Sequence, residues 1–140
     1  MKKIVFVCLG NICRSPMAEF VMKSLTDQLK IESRATSGWE HGNPIHRGTQ
    51  AIFKKYDIAY DRNKTSQQIS AADFADFDYV IGMDESNVRD LKRMAPEDFQ
   101  HKIYQFEEES VPDPWYTNDF DETYRLVQAG CERWLERLDG

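Results

Sequence analysis

An apolar run over residues 3–8 ends on Cys8, and a helical pattern opens at Ser15-Pro16. That junction constrains the chain more than anything else in it. Pro is tolerated in the first turn of a helix, where its missing N–H costs nothing. The pattern therefore reads as strand, tight loop, helix. Between the two lies Leu9-Gly10-Asn11-Ile12-Cys13-Arg14. Backbone N–H groups from Leu9 to Ser15 can converge on one point at the positive end of the helix, which holds an anion without a metal. Gly10 and Asn11 both accept the left-handed conformations that such a nest uses.

Two side chains make the cradle a candidate active site. Cys8 opens it, where the N–H nest, the helix dipole and a nearby guanidinium favour thiolate over thiol, so it is a candidate nucleophile. Arg14 closes it with a planar fork matched to two phosphate oxygens. Ser15 can donate its hydroxyl to the Cys8 sulfur. Taken alone, a Cys that ends a buried strand is usually a core residue. The flanking strand, helix start, Gly and Asn favour chemistry.

The 140 residues, 41% hydrophobic, fit one compact domain over residues 1–140. A net charge of −6 argues against nonspecific nucleic-acid or anionic-membrane binding. Three cysteines, Cys8, Cys13 and Cys131, make neither a disulfide framework nor a zinc pattern, which points to a reducing, cytoplasmic setting. The opening Met1-Lys2-Lys3 lacks the long apolar run and small-residue cleavage site of a signal peptide, although export without a signal stays open. No run reaches the length of a membrane span.

Periodicity predicts a first helix reaching about Lys30, a second strand over residues 31–38 and a helix carrying Ile45, Thr49, Ile52, Phe53 and Tyr56. Thr65-Ser66-Gln67-Gln68 reads as a capping box before a helical turn over residues 70–74. A third strand falls at residues 78–83, a helix capped by Asp84 runs through Met94 to a stop at Pro96, and a fourth strand covers residues 101–106. Phe120, Tyr124, Val127, Cys131, Trp134, Leu135 and Leu138 share one face of a final helix, which makes Cys131 core. Alternating strands and helices imply an α/β fold: a single-domain, doubly wound, four-stranded parallel sheet with helices on both faces and a phosphate-binding loop after strand 1. Ligands bind such sheets beyond the carboxyl ends of the strands, where the winding reverses.

The loop after the fourth strand, Val111-Pro112-Asp113-Pro114-Trp115-Tyr116, reaches that same end. A thiolate attacking phosphorus needs an acid to protonate the departing oxygen, and Asp113 on its proline-stiffened loop is the candidate. Asp-Pro by itself reads as a turn start.

With these pieces assembled, the chain resembles the low-molecular-weight protein tyrosine phosphatases over essentially its whole length. The resemblance rests on residues 7–16, on Met83-Asp84-Glu85-Ser86-Asn87 and on Asp113-Pro114-Trp115-Tyr116, in that order. It implies a metal-independent and cofactor-free hydrolase, with Cys8 as nucleophile, Arg14 as phosphate clamp, Asp113 as general acid and base, and Asn11 and Ser15 supporting loop and thiolate. Trp39, Trp115 and Tyr116 would line a deep cleft selecting phosphotyrosine, although Trp39 also reads as a surface aromatic. Cys13 shares the loop with Cys8 and could form a reversible disulfide with it, or be a small buried residue. The partners implied are phosphotyrosine proteins or aryl phosphates, with inorganic phosphate as product, acting on a monomer or weak homodimer.

The chain departs from its relatives in two places. The stretch around Trp39 looks shortened, and residues 60–65 lack the His with which many relatives brace the phosphate loop, leaving the task to Arg62 or a neighbour. Among rival readings, thioredoxin-linked arsenate reductases need cysteines that residues 79–93 lack, and protein-arginine phosphatases typically carry Thr where this chain has Ile12. A noncatalytic phosphotyrosine-binding module would not need both Cys8 and Asp113.

Overall fold

A computed structural model describes residues 1–139. The strands are β1 (Lys2–Cys8), β2 (Leu29–Ala35), β3 (Tyr79–Gly82) and β4 (Ile103–Gln105). They form one parallel sheet in the order β2-β1-β3-β4. The helices are α1 (Arg14–Leu25), α2 (Arg47–Lys55), α3 (Ala71–Asp76), α4 (Glu85–Met94), the short α5 (Pro114–Thr117) and α6 (Phe120–Asp139), with a 3-10 turn at Glu97–Lys102.

The period of two along β1 divides the interior. Ile4, Phe6 and Cys8 face a core shared with α1, α2 and α6, whereas Val5 and Val7 face a smaller core with Phe74, Phe77 and Leu91. Helices therefore cover both faces, as the pattern predicts. α1 is wedged between the sheet and α6 and is buried almost all round from Arg14 to Met22. Cys131 packs against α1 with its Sγ 3.7 Å from the Ala18 carbonyl. Among the described residues no helix is long and apolar enough to cross a membrane.

Several predicted boundaries move. α1 ends at Leu25 because Thr26 turns to extended backbone (φ −154°, ψ 147°), and Leu29 pairs with Lys2 as the first residue of β2. The parallel register that brings Ala35 opposite Cys8 requires this early start. β2 stops at Ala35, although Thr36 and Ser37 N–H still donate to the carbonyls of Cys8 and Leu9. The capping box lies at Ser70 and Asp73 instead of residues 65–68. β4 is short because residues 97–102 coil into the 3-10 turn.

The order places β1 and β3 side by side at the reversal of winding. The loops after both strands consequently meet above one end of the sheet.

Candidate active site

The phosphate loop is held by its carbonyls. Leu9 O accepts from the Ser37 hydroxyl at 2.8 Å, Gly10 O from the Ser66 hydroxyl at 2.7 Å, Ile12 O from the His46 N–H at 2.9 Å and Cys13 O from the Thr49 hydroxyl at 3.2 Å. With these oxygens pinned outward, the peptide planes turn their N–H groups inward, the arrangement an anion nest needs. Asn11 N–H points at Cys8 Sγ at 3.3 Å.

Asn11 alone of the predicted pair uses the left-handed region (φ 56°). Gly10 does not, and its lack of a Cβ serves the close approach of Glu40, whose Cγ would lie 3.3 Å from that atom. The Asn11 side chain is fully engaged: Nδ2 donates to the hydroxyls of Ser15 (2.8 Å) and Ser33 (2.9 Å), and Oδ1 accepts from Gln67 N–H (3.1 Å) and Lys64 Nζ (3.2 Å). Asn11 thereby occupies a lone pair on Ser15. The single hydroxyl proton of Ser15 is left to choose between Cys8 Sγ at 3.0 Å and the Arg34 carbonyl at 3.4 Å, and the shorter contact is the sulfur.

Behind this lies a buried relay that the sequence did not suggest. Ser33 donates to Glu19 at 2.6 Å, and Lys23 pairs with the other Glu19 oxygen at 2.7 Å. Periodicity alone places Glu19 on an ordinary helix surface, but it is 4% exposed against Ser33 of β2. The loop brace is Lys64, which also donates to the Ser33 carbonyl at 2.9 Å, whereas Arg62 is exposed. Burial pulls the Lys64 ammonium below the usual lysine range.

Arg14 is 2% exposed at the start of α1. One terminal nitrogen donates to Asp84 at 2.6 Å and to the Val111 carbonyl at 2.9 Å, and the other pairs with Asp113 at 3.4 Å. Burial alone would lower its pKa, but the charges of Cys8, Asp113 and Asp84 prevail and raise it. Its Nε is buried and has no partner among the described residues. Asp84 thus has a second task beside the predicted cap: Oδ1 accepts from Asn87 N–H at 2.7 Å while Oδ2 anchors the guanidinium.

Asp113 caps α5 through Oδ1, which accepts from Trp115 N–H at 3.0 Å, and meets Arg14 through Oδ2. Burial, then the nearby Cys8 charge, pushes the Cys13 thiol far up, and burial does the same to Cys131. A cleft of about 250 Å³ joins these parts, lined by Cys8, Leu9, Gly10, Ile12, Cys13, Ser37, Trp39, Glu40, Asp113, Trp115 and Tyr116. Trp39 and Tyr116 are 81% and 77% exposed, so the aromatics form an open rim instead of deep walls. Glu40, unremarked in the sequence, adds a carboxylate to that rim.

The family described as low molecular weight phosphotyrosine protein phosphatase matches residues 3–140. The chain is 42% identical to the low molecular weight protein-tyrosine-phosphatase PtpA of Staphylococcus epidermidis, covering 99% of this chain and 94% of that one. It is 41% identical to YfkJ of Bacillus subtilis, covering 99% and 96%. The crystal structure of SP-PTP, a low molecular weight protein tyrosine phosphatase from Streptococcus pyogenes, superposes with a TM-score of 0.97 at 64% identity, over 99% of this chain and 93% of that one.

Proposed function

The chain belongs to the low molecular weight phosphotyrosine protein phosphatase family, and from that premise we propose that it hydrolyses phosphotyrosine and small aryl phosphates through a phosphocysteine on Cys8. One observation carries the reading. Cys8 Sγ faces two donors, Asn11 N–H and the Ser15 hydroxyl, in a cleft that also receives Asp113, while the buried Arg14 keeps an unpartnered Nε for an incoming oxyanion.

The Cys8 thiolate attacks phosphorus, the S–P bond forms and the P–O bond to the phenol breaks. Protonated Asp113 gives its proton to the departing oxygen. The Asp113 carboxylate then takes a proton from water as that oxygen attacks phosphorus, the S–P bond breaks, and phosphate and the thiolate are released. Arg14 offers a planar fork to the equatorial oxygens, and the inward N–H groups offset the charge that gathers there. Ser15 donates to the sulfur as it departs. Trp39, Trp115 and Tyr116 flank the phenyl ring at the rim. Leu9, Gly10, Ile12 and Cys13 contribute backbone to the cradle.

Cys13 serves the same site as a redox partner. Peroxide converts the Cys8 thiolate to a sulfenic acid, the Cys13 thiol condenses with it, and water leaves as the disulfide forms. Mass spectrometry of peroxide-treated protein should find a reducible Cys8–Cys13 link, and its absence would assign Cys13 to packing alone. The protein works as a monomer or weak homodimer, and its three free cysteines support a reducing, cytoplasmic setting.

The decisive assay is phosphate release from matched phosphotyrosine, phosphoserine and phosphoarginine peptides, with Cys8→Ser and Asp113→Asn alongside. Hydrolysis of phosphotyrosine alone is expected, abolished in Cys8→Ser and slowed about a hundredfold in Asp113→Asn. Preference for phosphoarginine would overturn the substrate. No hydrolysis at all would leave a binding module.

A further inference from the structure

His46 stands between the two loops that carry the chemistry, and the reaction just described makes no use of it. Its backbone N–H ties it to the phosphate loop at Ile12 O (2.9 Å), and its Nδ1 accepts from Gly48 N–H at 2.9 Å as the cap of α2. That cap fixes the plane of the ring. The ring stacks on Phe120 with centroids 5.1 Å apart and planes 20° from parallel, and it meets Trp115 edge-on at 5.7 Å and 81°. Gly48 makes room for this arrangement, since a Cβ there would lie 2.4 Å from the Phe120 ring.

Trp115 is the residue whose N–H holds the Asp113 carboxylate. The acid loop is fixed upstream at Val111, whose N–H donates to Met83 O and whose carbonyl accepts from Arg14. Beyond Asp113 the chain makes the single turn of α5, ended by the left-handed Asn118, before α6 begins at Phe120. The Asp113 carboxylate caps that turn, so its position follows the turn, and the turn leans on His46 through Trp115.

We propose that His46 is a positioning residue for the general acid: its ring, clamped between Phe120 and Trp115, sets the Asp113 loop against the phosphate loop. This rests on the reading of Asp113 as the acid. A displaced acid matters most when the leaving oxygen is strongly basic, so the class of substrate affected is the aryl phosphate with a poor leaving group, phosphotyrosine included.

Two substitutions separate the two tasks of the residue. His46→Asn keeps an N-cap and removes the ring, whereas His46→Phe keeps an aromatic ring and removes the cap. The readout is kcat/KM for phenyl phosphate relative to p-nitrophenyl phosphate, which covers every step through departure of the phenol. In His46→Asn the ratio should fall about tenfold, because only the more basic leaving group needs the acid in place. In His46→Phe the ratio should stay near that of the wild type while the thermal midpoint drops. Phe120→Leu, which opens the far side of the clamp without touching the cap, should lower the ratio as His46→Asn does.

Asp113→Asn is the reference. If it lowers the ratio and neither His46→Asn nor Phe120→Leu does, the positioning role is overturned and the acid stands. If His46→Phe lowers the ratio as far as His46→Asn, the cap and not the ring is responsible, and the proposal fails. If Asp113→Asn leaves the ratio unchanged, the acid assignment falls and the positioning role falls with it.

Discussion

Asn11 is held at a φ of 56°, which costs an L-residue roughly 1 kcal/mol, and its four side-chain hydrogen bonds hold it there. Lys64 supplies the only charged one. A half-buried ammonium is an expensive brace, and the downward shift of its pKa records the desolvation. The sign follows: in the alkaline range below the ordinary lysine value of 10.5, the unfolded chain binds this proton more tightly than the folded protein. This group therefore makes the fold more stable as pH rises through that window. Replacing Lys64 by Met removes the desolvation cost and the two hydrogen bonds together, so the two changes largely offset in stability. They do not offset in activity, because Asn11 loses a restraint on the geometry around Ser15 and Cys8. We expect Lys64→Met to lower kcat on p-nitrophenyl phosphate about tenfold while urea unfolding moves by no more than about 1 kcal/mol. Arg62→Ala should leave both unchanged. Equal loss in the two variants would show that the exposed arginine shares the brace.

At the scale of elements, the fit of α6 against the sheet depends on a missing side chain. A Cβ at Gly130 would lie 2.3 Å from the Phe106 ring and 2.8 Å from a Glu107 carboxylate oxygen. Phe106 cannot yield easily: its ring packs edge-on against Phe6 at 5.8 Å, its N–H donates to Gly82 and its carbonyl accepts from Trp134. Gly130→Ala gains about 1 kcal/mol in helix propensity and loses more to overpacking. A net destabilisation of about 1–2 kcal/mol is expected in urea unfolding. α6 was nevertheless the helix most legible in the sequence, since its apolar face recurs at a regular spacing. The strand, loop and helix around Cys8 were legible for a related reason: each residue there is constrained by its neighbours in the chain. The end of α1 was not, because Leu29 fits a helical face as well as a strand, and only pairing with Lys2 decides between them. Lys64, Glu19 and the second task of Asp84 escaped reading because their partners lie far away in sequence and meet them only after the sheet is assembled.

At the scale of the molecule, a net charge of −6 surrounds a cleft rimmed by Asp113 and Glu40, yet the centre of that cleft is built for an anion. The sheet order explains how both can hold. Arg14 follows β1, Asp84 follows β3 and Asp113 follows β4, so the guanidinium is buried and oriented by carboxylates from two other crossovers. Those carboxylates engage its terminal nitrogens and leave Nε without a partner among the described residues. An oxyanion can complete the donor set without rearranging the sheet. Because three strands contribute to the site, the folded state gains the whole binding energy and unfolding must surrender it. At a phosphate or vanadate concentration about a hundredfold above its dissociation constant, the gain is about 2.7 kcal/mol. For a chain of this length that corresponds to a rise of roughly 8 °C in thermal midpoint, measurable by calorimetry. Cys8→Ser should retain most of the rise with phosphate, since the cradle and clamp remain. Arg14→Lys keeps the charge but loses the planar fork and the Nε donor, so less than half of the rise should survive. If the lysine variant responded as the wild type does, charge alone would hold the anion, and the orientation imposed by Asp84 and Asp113 would have no part in binding.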